Sequence, residues 1–384
     1  MKSTEESESP ARYFWWGAIS AISAVIRRNI SMARSYYRLY PNLYVILVGP
    51  SGMRKSIPIA LTQKLVERVD CTRVFSGRAS IQAIVKALGR AHTSENKRII
   101  TDSVGFLVNP ELDDMLLEDK HMVVTLLNLY DTYTKDKWQN LLKVSGVDNL
   151  KNVYLTIFSG SNETNLALAL PKSATSGGLV ARTCIVLEEK KRRLNALVRP
   201  PKIIPDVNSL SKRLFEISNL SGVFTFDNLA GEYFEKWYNN FMTLESLDKT
   251  GTLDRLPDTA LKVAICISLS YKDDLVLLKE DIEEAIFQCQ DTIVGMKKVF
   301  LGSGEHSLAN PTAQVLRILI GRKDHKISRS KLLRVLTGIA DAIDLDRIID
   351  TLAQSGVVEV VKVGMSEVEY LMRESIAKEF DRLQ

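Results

Sequence analysis

The sequence predicts an α/β protein in three layers, with a central parallel sheet covered by helices. Short apolar runs alternate with segments of helical periodicity from residue 41 to residue 198. One of these runs, LYVILVG at 43–49, is apolar throughout, which is typical of a strand buried on both faces of a parallel sheet. Alternation of such strands with helices predicts that helices cover both faces of the sheet.

Length and composition are those of a globular protein with a sizeable core. The 384 residues are 45% hydrophobic and 25% charged, which is enough for two or three domains. No apolar stretch is long enough to cross a membrane, so we expect no membrane partner. The four cysteines lie in apolar runs without metal-binding spacing, which favours buried, reduced thiols in a cytoplasmic protein. A net charge of +5 permits nucleic-acid binding without requiring it.

The first 40 residues predict an N-terminal helical segment. The start, MKSTEESESPAR, is polar and acidic and lacks the basic and apolar regions of a signal peptide, so we expect a frayed tail. FWWGAISAISAVIRRNIS at 14–31 has apolar residues at helical spacing and predicts a packed helix. Within it, Trp15 and Trp16 either pack in the core or form a surface for a partner.

Five strands are predicted for the core at 41–198. They are 43–49, 72–77, 98–109, 153–161 and 179–188. Helices are expected after the first three of them, at 56–69, 80–90 and 111–118.

The character of the sequence changes beyond the core. Proline and positive charge at 198–206 mark a boundary, and four helical patterns then predict a lid-like helical domain at 199–300. A linker is expected at 301–311. Residues 312–384 read as three helices followed by two short strands, an order that is typical of a winged-helix domain.

The first core strand leads into GPSGMRKS, which has the pattern of a phosphate-binding loop. The loop comprises Gly49, Pro50, Ser51, Gly52, Met53, Arg54, Lys55 and Ser56. Such a loop holds ATP through inward-pointing backbone N–H groups and the positive end of the following helix. Lys55 is suited to the β- and γ-phosphates and Ser56 to Mg²⁺. Arg54 replaces the second glycine of the usual pattern. The alternative to a nucleotide site is that the whole stretch is a purely structural turn.

A carboxylate that activates or orients water is expected near the γ-phosphate. Glu111 follows the strand at 98–109 and is our candidate, whereas Pro110 stands where an aspartate that supports the metal is customary. Asp113 and Asp114 lie on the next helical turn. They act through water or, as the sequence favours, are solvated or capping residues.

Two further strands offer polar side chains. Asn162 is the first candidate to contact the γ-phosphate or the attacking water after the strand at 153–161, and Ser161 is the second; the alternative is a strand-ending turn. Arg182 lies in the apolar run at 179–188, where burial requires an anionic partner. That partner is a γ-phosphate of its own or a neighbouring subunit, or else an acidic residue. Arg78 is a weaker candidate that a solvated surface position also explains.

Taken together, these motifs resemble the P-loop ATPases found as replicative helicases or helicase-like proteins in bacteriophages and other mobile elements. The resemblance rests on the order of GPSGMRKS, FLVNPELDDML, LLNLYDTY with Trp138 nearby, FSGSNETNLALALP and SGGLVARTCIVLEE. It covers residues 12–195 well and the helical part loosely. It implies a RecA-like or AAA+-like P-loop NTPase core, a homo-oligomeric ring, and work on DNA.

The resemblance also implies a role for each matching residue. Lys55 and Ser56 match the loop lysine and serine, and Glu111 matches the catalytic carboxylate. Asn162 stands at the polar sensor, where relatives often carry threonine, and Arg182 matches the late arginine.

The function that follows is an ATP-dependent motor of DNA replication, expected in a bacterial or phage-infected cytoplasm. It would be a ring-forming helicase that uses ATP and Mg²⁺ to translocate on or unwind DNA, which we expect to be single-stranded. Other replication proteins are further candidate partners. One alternative is an ATPase that loads or remodels another helicase. A second is a DNA-binding replication initiator that uses ATP as a switch.

The C-terminal domain leaves DNA binding open. Its third helix, DAIDLDRIIDTLAQ, is acidic and would be repelled by phosphates, whereas the segment before it is basic. DNA contact is therefore expected through the second helix and its flanks, without sequence reading. The alternatives are a protein-binding module or a solvated basic face. KKRR at 190–193 either lines a ring pore or stays hydrated.

Overall fold

The computed structural model consists of two compact units, residues 1–293 and residues 294–384. The residues whose structure is described are 4, 7–93, 99–119, 121–131, 137–142, 146–170, 178–196, 206–242, 251–300, 309–322, 324–336, 340–363, 367–374 and 376–377. The N-terminal segment, the core and most of the helical segment that the sequence separates thus belong to one unit. The predicted boundary at 198–206 and the predicted linker at 301–311 lie largely outside the described residues.

The regular elements of the described residues follow in chain order. The helices are α1 (Ala11–Ile26), α2 (Ser56–Val69), α3 (Ile81–Leu88), α4 (Leu112–Glu118), α5 (Met122–Tyr130), α6 (Glu163–Ala169), α7 (Val207–Ser218), α8 (Asn228–Met242), α9 (Thr252–Tyr271), α10 (Lys279–Phe300), α11 (Ala309–Ile320), α12 (Arg329–Val335) and α13 (Ala342–Gln354). The strands are β1 (Ile30–Arg34), β2 (Tyr37–Leu39), β3 (Tyr44–Val48), β4 (Arg73–Ser76), β5 (His92–Thr93), β6 (Ile99–Ile100), β7 (Val104–Asn109), β8 (Lys137–Leu142), β9 (Gly146–Lys151), β10 (Tyr154–Ser161), β11 (Thr183–Leu187), β12 (Gly222–Phe226), β13 (Val276–Leu277), β14 (Lys326–Ser328), β15 (Val358–Val363) and β16 (Glu367–Met372).

The central sheet of the first unit has five strands in the order β11–β3–β10–β7–β4. All four neighbouring pairs are parallel. Every residue of β3, β7 and β10 is buried, as expected for strands covered on both faces. The predicted α/β class with a mostly parallel central sheet is therefore confirmed.

Strand order decides which side chains meet at the carboxyl edge of this sheet. β10 lies between β3 and β7, with Ser161 in register with Val48 and Ser159 in register with Asn109. The loop after β3, the turn after β7 and the end of β10 therefore come together at one edge. In open α/β sheets this edge is where ligands bind.

A second sheet in the first unit was not predicted. Its order is β13–β12–β1–β2, and β1 pairs in parallel with β12, with Ile30 in register with Gly222. The predicted helix at 14–31 ends at Ile26, so the N-terminal segment is part helix and part strand. The strand's partner lies about 190 residues away in the sequence, and no local pattern indicates such a pairing.

Helix α1 is packed into the first unit, as predicted. Trp16 and Tyr13 are fully buried, and the Tyr13 hydroxyl donates a hydrogen bond of 2.5 Å to the carbonyl oxygen of Val48. At Gly17 a Cβ atom would lie 2.6 Å from the Thr62 hydroxyl and 3.3 Å from the ring of Phe158. The absence of a side chain thus lets α1 approach both α2 and β10.

The second unit has its own apolar core. After α11 come β14, α12, α13 and the hairpin of β15 and β16, with the sheet order β14–β16–β15. Leu319, Leu332, Leu345 and Tyr370 pack together in its interior. The three helices and two strands expected here are present, together with the short strand β14. The winged-helix assignment stays a prediction.

Two arginines of the basic segment in the second unit form hydrogen bonds or ion pairs within that unit. Arg329 makes a two-pronged contact with Asp346, with N–O distances of 2.9 to 3.1 Å. Arg317 donates to the carbonyl oxygens of Lys298 and Val299 at 2.8 and 3.1 Å. These two cations are therefore engaged within the unit.

Two predictions for the whole chain, on its cysteines and on membrane-spanning helices, can be compared with the described residues. All four cysteines are free and buried, as predicted. Among the described residues, no helix is long and apolar enough to cross a membrane.

Candidate phosphate-binding site

The loop Gly49–Ser56 joins the end of β3 to the first turn of α2. Gly49 is tightly enclosed, because a Cβ atom there would lie 2.5 Å from the Glu188 carbonyl oxygen and 2.7 Å from the Tyr13 hydroxyl. Gly52 has a φ of 86°, and Arg54 has a φ of 59°, in the left-handed region that favours glycine. Arg54 thus adopts a backbone conformation that favours glycine, and the loop is a tight turn into the helix.

Lys55 lies at the base of the loop. Its Nζ donates to the carbonyl oxygens of Gly49 at 2.6 Å and of Pro50 at 3.2 Å. Burial lowers the pKa of Lys55, and the negative charges of Asp113 and Glu111 oppose this effect. The ammonium therefore lies within the electrostatic reach of both carboxylates.

Glu111 follows the end of β7 and is the residue immediately before α4. Its side chain is exposed, and its backbone N–H donates to Asn109 Oδ1 at 2.9 Å. The Asn109 amide in turn donates to the Met115 sulfur at 2.8 Å. Asn109 therefore holds the turn after β7, while the Glu111 carboxylate projects into solvent at the carboxyl edge.

Asp113 departs from the sequence-based expectation. It is 2% exposed and accepts a hydrogen bond of 2.7 Å from the Ser161 hydroxyl, so it is neither solvated nor a cap. Ser161 ends β10 and is in register with Val48, next to the loop. Asp114, one residue further, is exposed as expected. Sequence alone could not choose between them, because α4 places adjacent residues on different faces.

Asn162 lies at the same edge, but its oxygen has a structural role. It is the residue before α6, and its Oδ1 accepts a hydrogen bond of 2.8 Å from the Asn165 backbone N–H. This is an N-cap, which commonly stabilises a helix by about 1 kcal/mol. The side-chain oxygen is therefore engaged, which corresponds to the turn-like alternative.

Arg182 is not brought to the loop. It belongs to a 3-10 turn at Val180–Arg182 that precedes β11, and the next residue, Thr183, is in register with Tyr44 at the start of β3. Since β3 and β11 are parallel, Arg182 lies at the opposite edge of the sheet, roughly 16 Å from the loop. It pairs with Asp131 and donates to the Gly178 carbonyl oxygen at 2.9 Å. Contact with a γ-phosphate bound by its own loop is thus excluded.

Arg78 is a surface residue, which agrees with the solvated surface position that the sequence also allowed. It lies beyond β4, at the far side of the sheet from β3, and its side chain is 70% exposed. Its guanidinium pairs with Glu118.

A carboxylate from the N-terminal segment meets the loop. Glu8 accepts from Arg54 Nε at 3.1 Å, from Lys191 Nζ at 3.0 Å and from the Asn195 backbone N–H at 3.3 Å. The contacts with Lys191, Asn195 and Arg54 lower the pKa of Glu8 to about 2. Part of the predicted frayed tail and part of KKRR are therefore fixed beside the loop, which the sequence did not indicate.

The positive φ of Arg54 allows the effect of its backbone conformation on stability to be measured separately from the effect of its charge. Arg54→Gly and Arg54→Ala both remove the pair with Glu8, but alanine must adopt a positive φ. We expect the glycine variant to be more stable by about 1 kcal/mol. Urea unfolding of the two variants measures this difference. An alanine variant of equal stability would contradict the left-handed conformation.

The oxygen ligands present fit a magnesium ion held together with phosphates. Ser56 is exposed at the first position of α2, and Asp113 and Glu111 supply carboxylate oxygens at the same edge. Mg²⁺ prefers such ligands and keeps several waters. Among the described residues, no group of three or more histidine, cysteine or acidic side chains is placed to hold a metal without phosphate.

An apolar cavity of about 270 Å³ lies between α1, α2 and α7. Its lining includes Trp15, Ala18, Leu61, Leu65, Leu214 and Ile217. Pro58, two residues beyond Ser56, also faces it. The cavity therefore lies along the helix that follows the loop.

Comparison with known proteins does not assign the chain. No model of a protein family matches it. No curated protein matches it either. The assignment of a function must therefore start from the geometry of the site.

Proposed function

We propose that this protein binds and hydrolyses ATP with Mg²⁺ and uses the energy as a motor of DNA replication. The observation that carries the proposal is the meeting of Lys55, Glu111 and Asp113 at the carboxyl edge of one parallel sheet. A cation for phosphate and two carboxylates for metal and water are the groups that phosphoryl transfer requires.

Each residue of the site has a role in this proposal. The backbone N–H groups of the loop and the Lys55 ammonium bind the phosphates. The Ser56 hydroxyl would hold Mg²⁺, which neutralises charge on the phosphates when it is bound. Glu111, exposed beside the site, orients the attacking water. The cavity beside α2 offers apolar walls for the base of the nucleotide.

The coupling of hydrolysis to DNA rests on the resemblance to phage and mobile-element helicases, not on contacts within the chain. We propose a homo-oligomeric ring that translocates on single-stranded DNA. In this proposal Arg182 is not the residue that reaches a neighbour's phosphate, because its side chain is 10% exposed and paired with Asp131.

ATPase turnover with and without single-stranded DNA tests the proposal, with Glu111→Gln and Glu118→Gln as matched variants. We expect DNA to stimulate turnover and the protein to displace a strand. Glu111→Gln should lower kcat by about 100-fold or more while nucleotide still binds, since water activation commonly contributes a factor of this size. Glu118→Gln, which changes an exposed carboxylate paired with Arg78, should leave kcat unchanged.

Other outcomes would replace the motor with an alternative. Turnover that appears only with a partner protein would indicate a helicase loader. Binding of ATP with hardly any turnover, and no effect of Glu111→Gln, would indicate a switch. A solution mass that stays monomeric with a non-hydrolysable ATP analogue and DNA would contradict the ring.

A further inference from the structure

The carboxyl edge of the sheet lacks an acidic residue at the place where β7 ends. Asn109 is the last residue of β7, and its amide is turned to Met115 and to the Gly77 carbonyl oxygen. Pro110 follows and has no polar side chain. The strand itself therefore provides no carboxylate beside the phosphate loop.

Asp113 brings a carboxylate to this edge from the first turn of α4. Its Oδ1 is 2.7 Å from the Ser161 hydroxyl, and Ser161 is in register with Val48, the residue before the loop. Neighbouring strands lie about 4.8 Å apart, so Ser161, the hydrogen-bond partner of this carboxylate, is one strand away from the start of the loop. Its negative charge acts on Lys55 more strongly than that of Glu111.

The burial of Asp113 argues for a specific task. A carboxylate that is 2% exposed is costly unless it is hydrogen-bonded or faces a cation. The Ser161 hydroxyl satisfies one oxygen, and an aspartate beside a phosphate loop would also repel a nucleotide that carries no metal. A divalent cation offsets both the cost of burying the carboxylate and its repulsion of the phosphates.

We propose that Asp113 is the positioning residue for Mg²⁺ at this site, in place of an acidic residue at the end of β7. A Mg²⁺ ion held by phosphates and the Ser56 hydroxyl keeps several waters, and a nearby carboxylate accepts hydrogen bonds from them. Ser161 fixes the orientation of Asp113 for this purpose. The inference rests on the proposed function, because it requires that the loop bind a nucleotide.

The test is binding of a fluorescent ATP analogue, titrated with Mg²⁺, to the full chain and to two matched variants. Asp113→Asn keeps the shape of the side chain and removes its charge, and Asp114→Asn does the same at the exposed neighbour. For Asp113→Asn we expect the Mg²⁺ concentration at half-maximal binding to rise about 10-fold or more, the usual effect of losing an outer-shell partner. In EDTA its affinity should be equal to that of the wild type or higher, because a repulsive charge is gone. Asp114→Asn should behave as the wild type.

The outcomes separate this inference from the proposed function. If the wild-type protein binds no nucleotide, the proposed function fails. If it binds with Mg²⁺ dependence and Asp113→Asn shows the same dependence, the inference is overturned and the proposed function stands. If Asp113→Asn does not fold, Ser161→Ala, which keeps the carboxylate but removes its donor, should raise the half-maximal Mg²⁺ concentration several-fold. An unchanged value in that variant overturns the inference.

Discussion

Replacing Lys55 with alanine is expected to weaken ATP binding by about 100-fold or more. A hydrogen bond to a charged group contributes about 1.5–3 kcal/mol, and the lysine in such a loop makes more than one with the phosphates. In the structure Lys55 Nζ rests on the carbonyl oxygens of Gly49 and Pro50. Nucleotide binding would transfer the ammonium from these oxygens to phosphate oxygens, which carry full negative charge.

The measurement is the Kd of a fluorescent ATP analogue, with Lys64→Ala as the control. Lys64 is an exposed lysine on α2, so the control changes charge on the same helix and leaves the loop intact. Thermal unfolding of both variants checks that the fold is retained. A Kd equal to that of the wild type in a folded Lys55→Ala protein would mean that GPSGMRKS is a structural turn.

The second large effect is a pH dependence of stability that originates at Lys262. This lysine lies on α9 and is 4% exposed. Its Nζ donates to the main-chain oxygen of Asn42 at 3.1 Å and to its side-chain oxygen at 2.9 Å, and it lies 3.9 Å from the ring centre of Tyr130. Burial lowers the pKa of Lys262 to about 7, despite the opposing charges of Asp258 and Asp131.

The sign of the effect follows from proton binding. The unfolded chain has an ordinary lysine, whose pKa is about 10.4, so it binds more protons than the folded chain between pH 7 and that value. Stability therefore rises with pH across this window. Between pH 7 and pH 9 the expected gain from Lys262 is about 2 kcal/mol.

Urea unfolding at pH 7, 8 and 9 measures this gain as the difference between the wild type and Lys262→Met. The subtraction is needed because burial raises the pKa of Cys184 and Cys266, which lowers stability as the pH approaches their ordinary value. Methionine has no titrating group, so the gain should be absent in the variant, whereas Lys64→Met should retain it. Parallel curves for the wild type and Lys262→Met would contradict the shifted pKa.

Local pattern was sufficient for two of the core strands and for the position of the loop. The apolar runs at 43–49 and 153–161 became β3 and β10, because strands covered on both faces must be apolar along their whole length. The glycine and the polar residues after β3 located the loop, since a tight turn and a helix start have strong local requirements. The same local pattern predicts Glu111, as the first acidic residue after a strand.

Pattern failed where a partner distant in the sequence decides the outcome. The apolar run at 179–188 predicts that Arg182 lies inside a strand, but the strand begins one residue later, and parallel pairing places that start at the far edge. The sequence favours a solvated or capping role for Asp113, but β10 lies between β3 and β7 and supplies Ser161 as its partner. Glu8, in a polar tail, is fixed by two cations that are 46 and 183 residues away.

The sequence by itself determined the α/β class and the position of a candidate phosphate loop, since both depend on short-range periodicity and on backbone geometry. The tertiary structure decided which charged side chains share the edge with that loop. Strand order is set by pairing between segments far apart in the chain, and no local pattern encodes it. This order brings Asp113 to the edge where Lys55 lies and takes Arg182 to the opposite edge, because parallel strands collect their ends at two separate edges of one sheet.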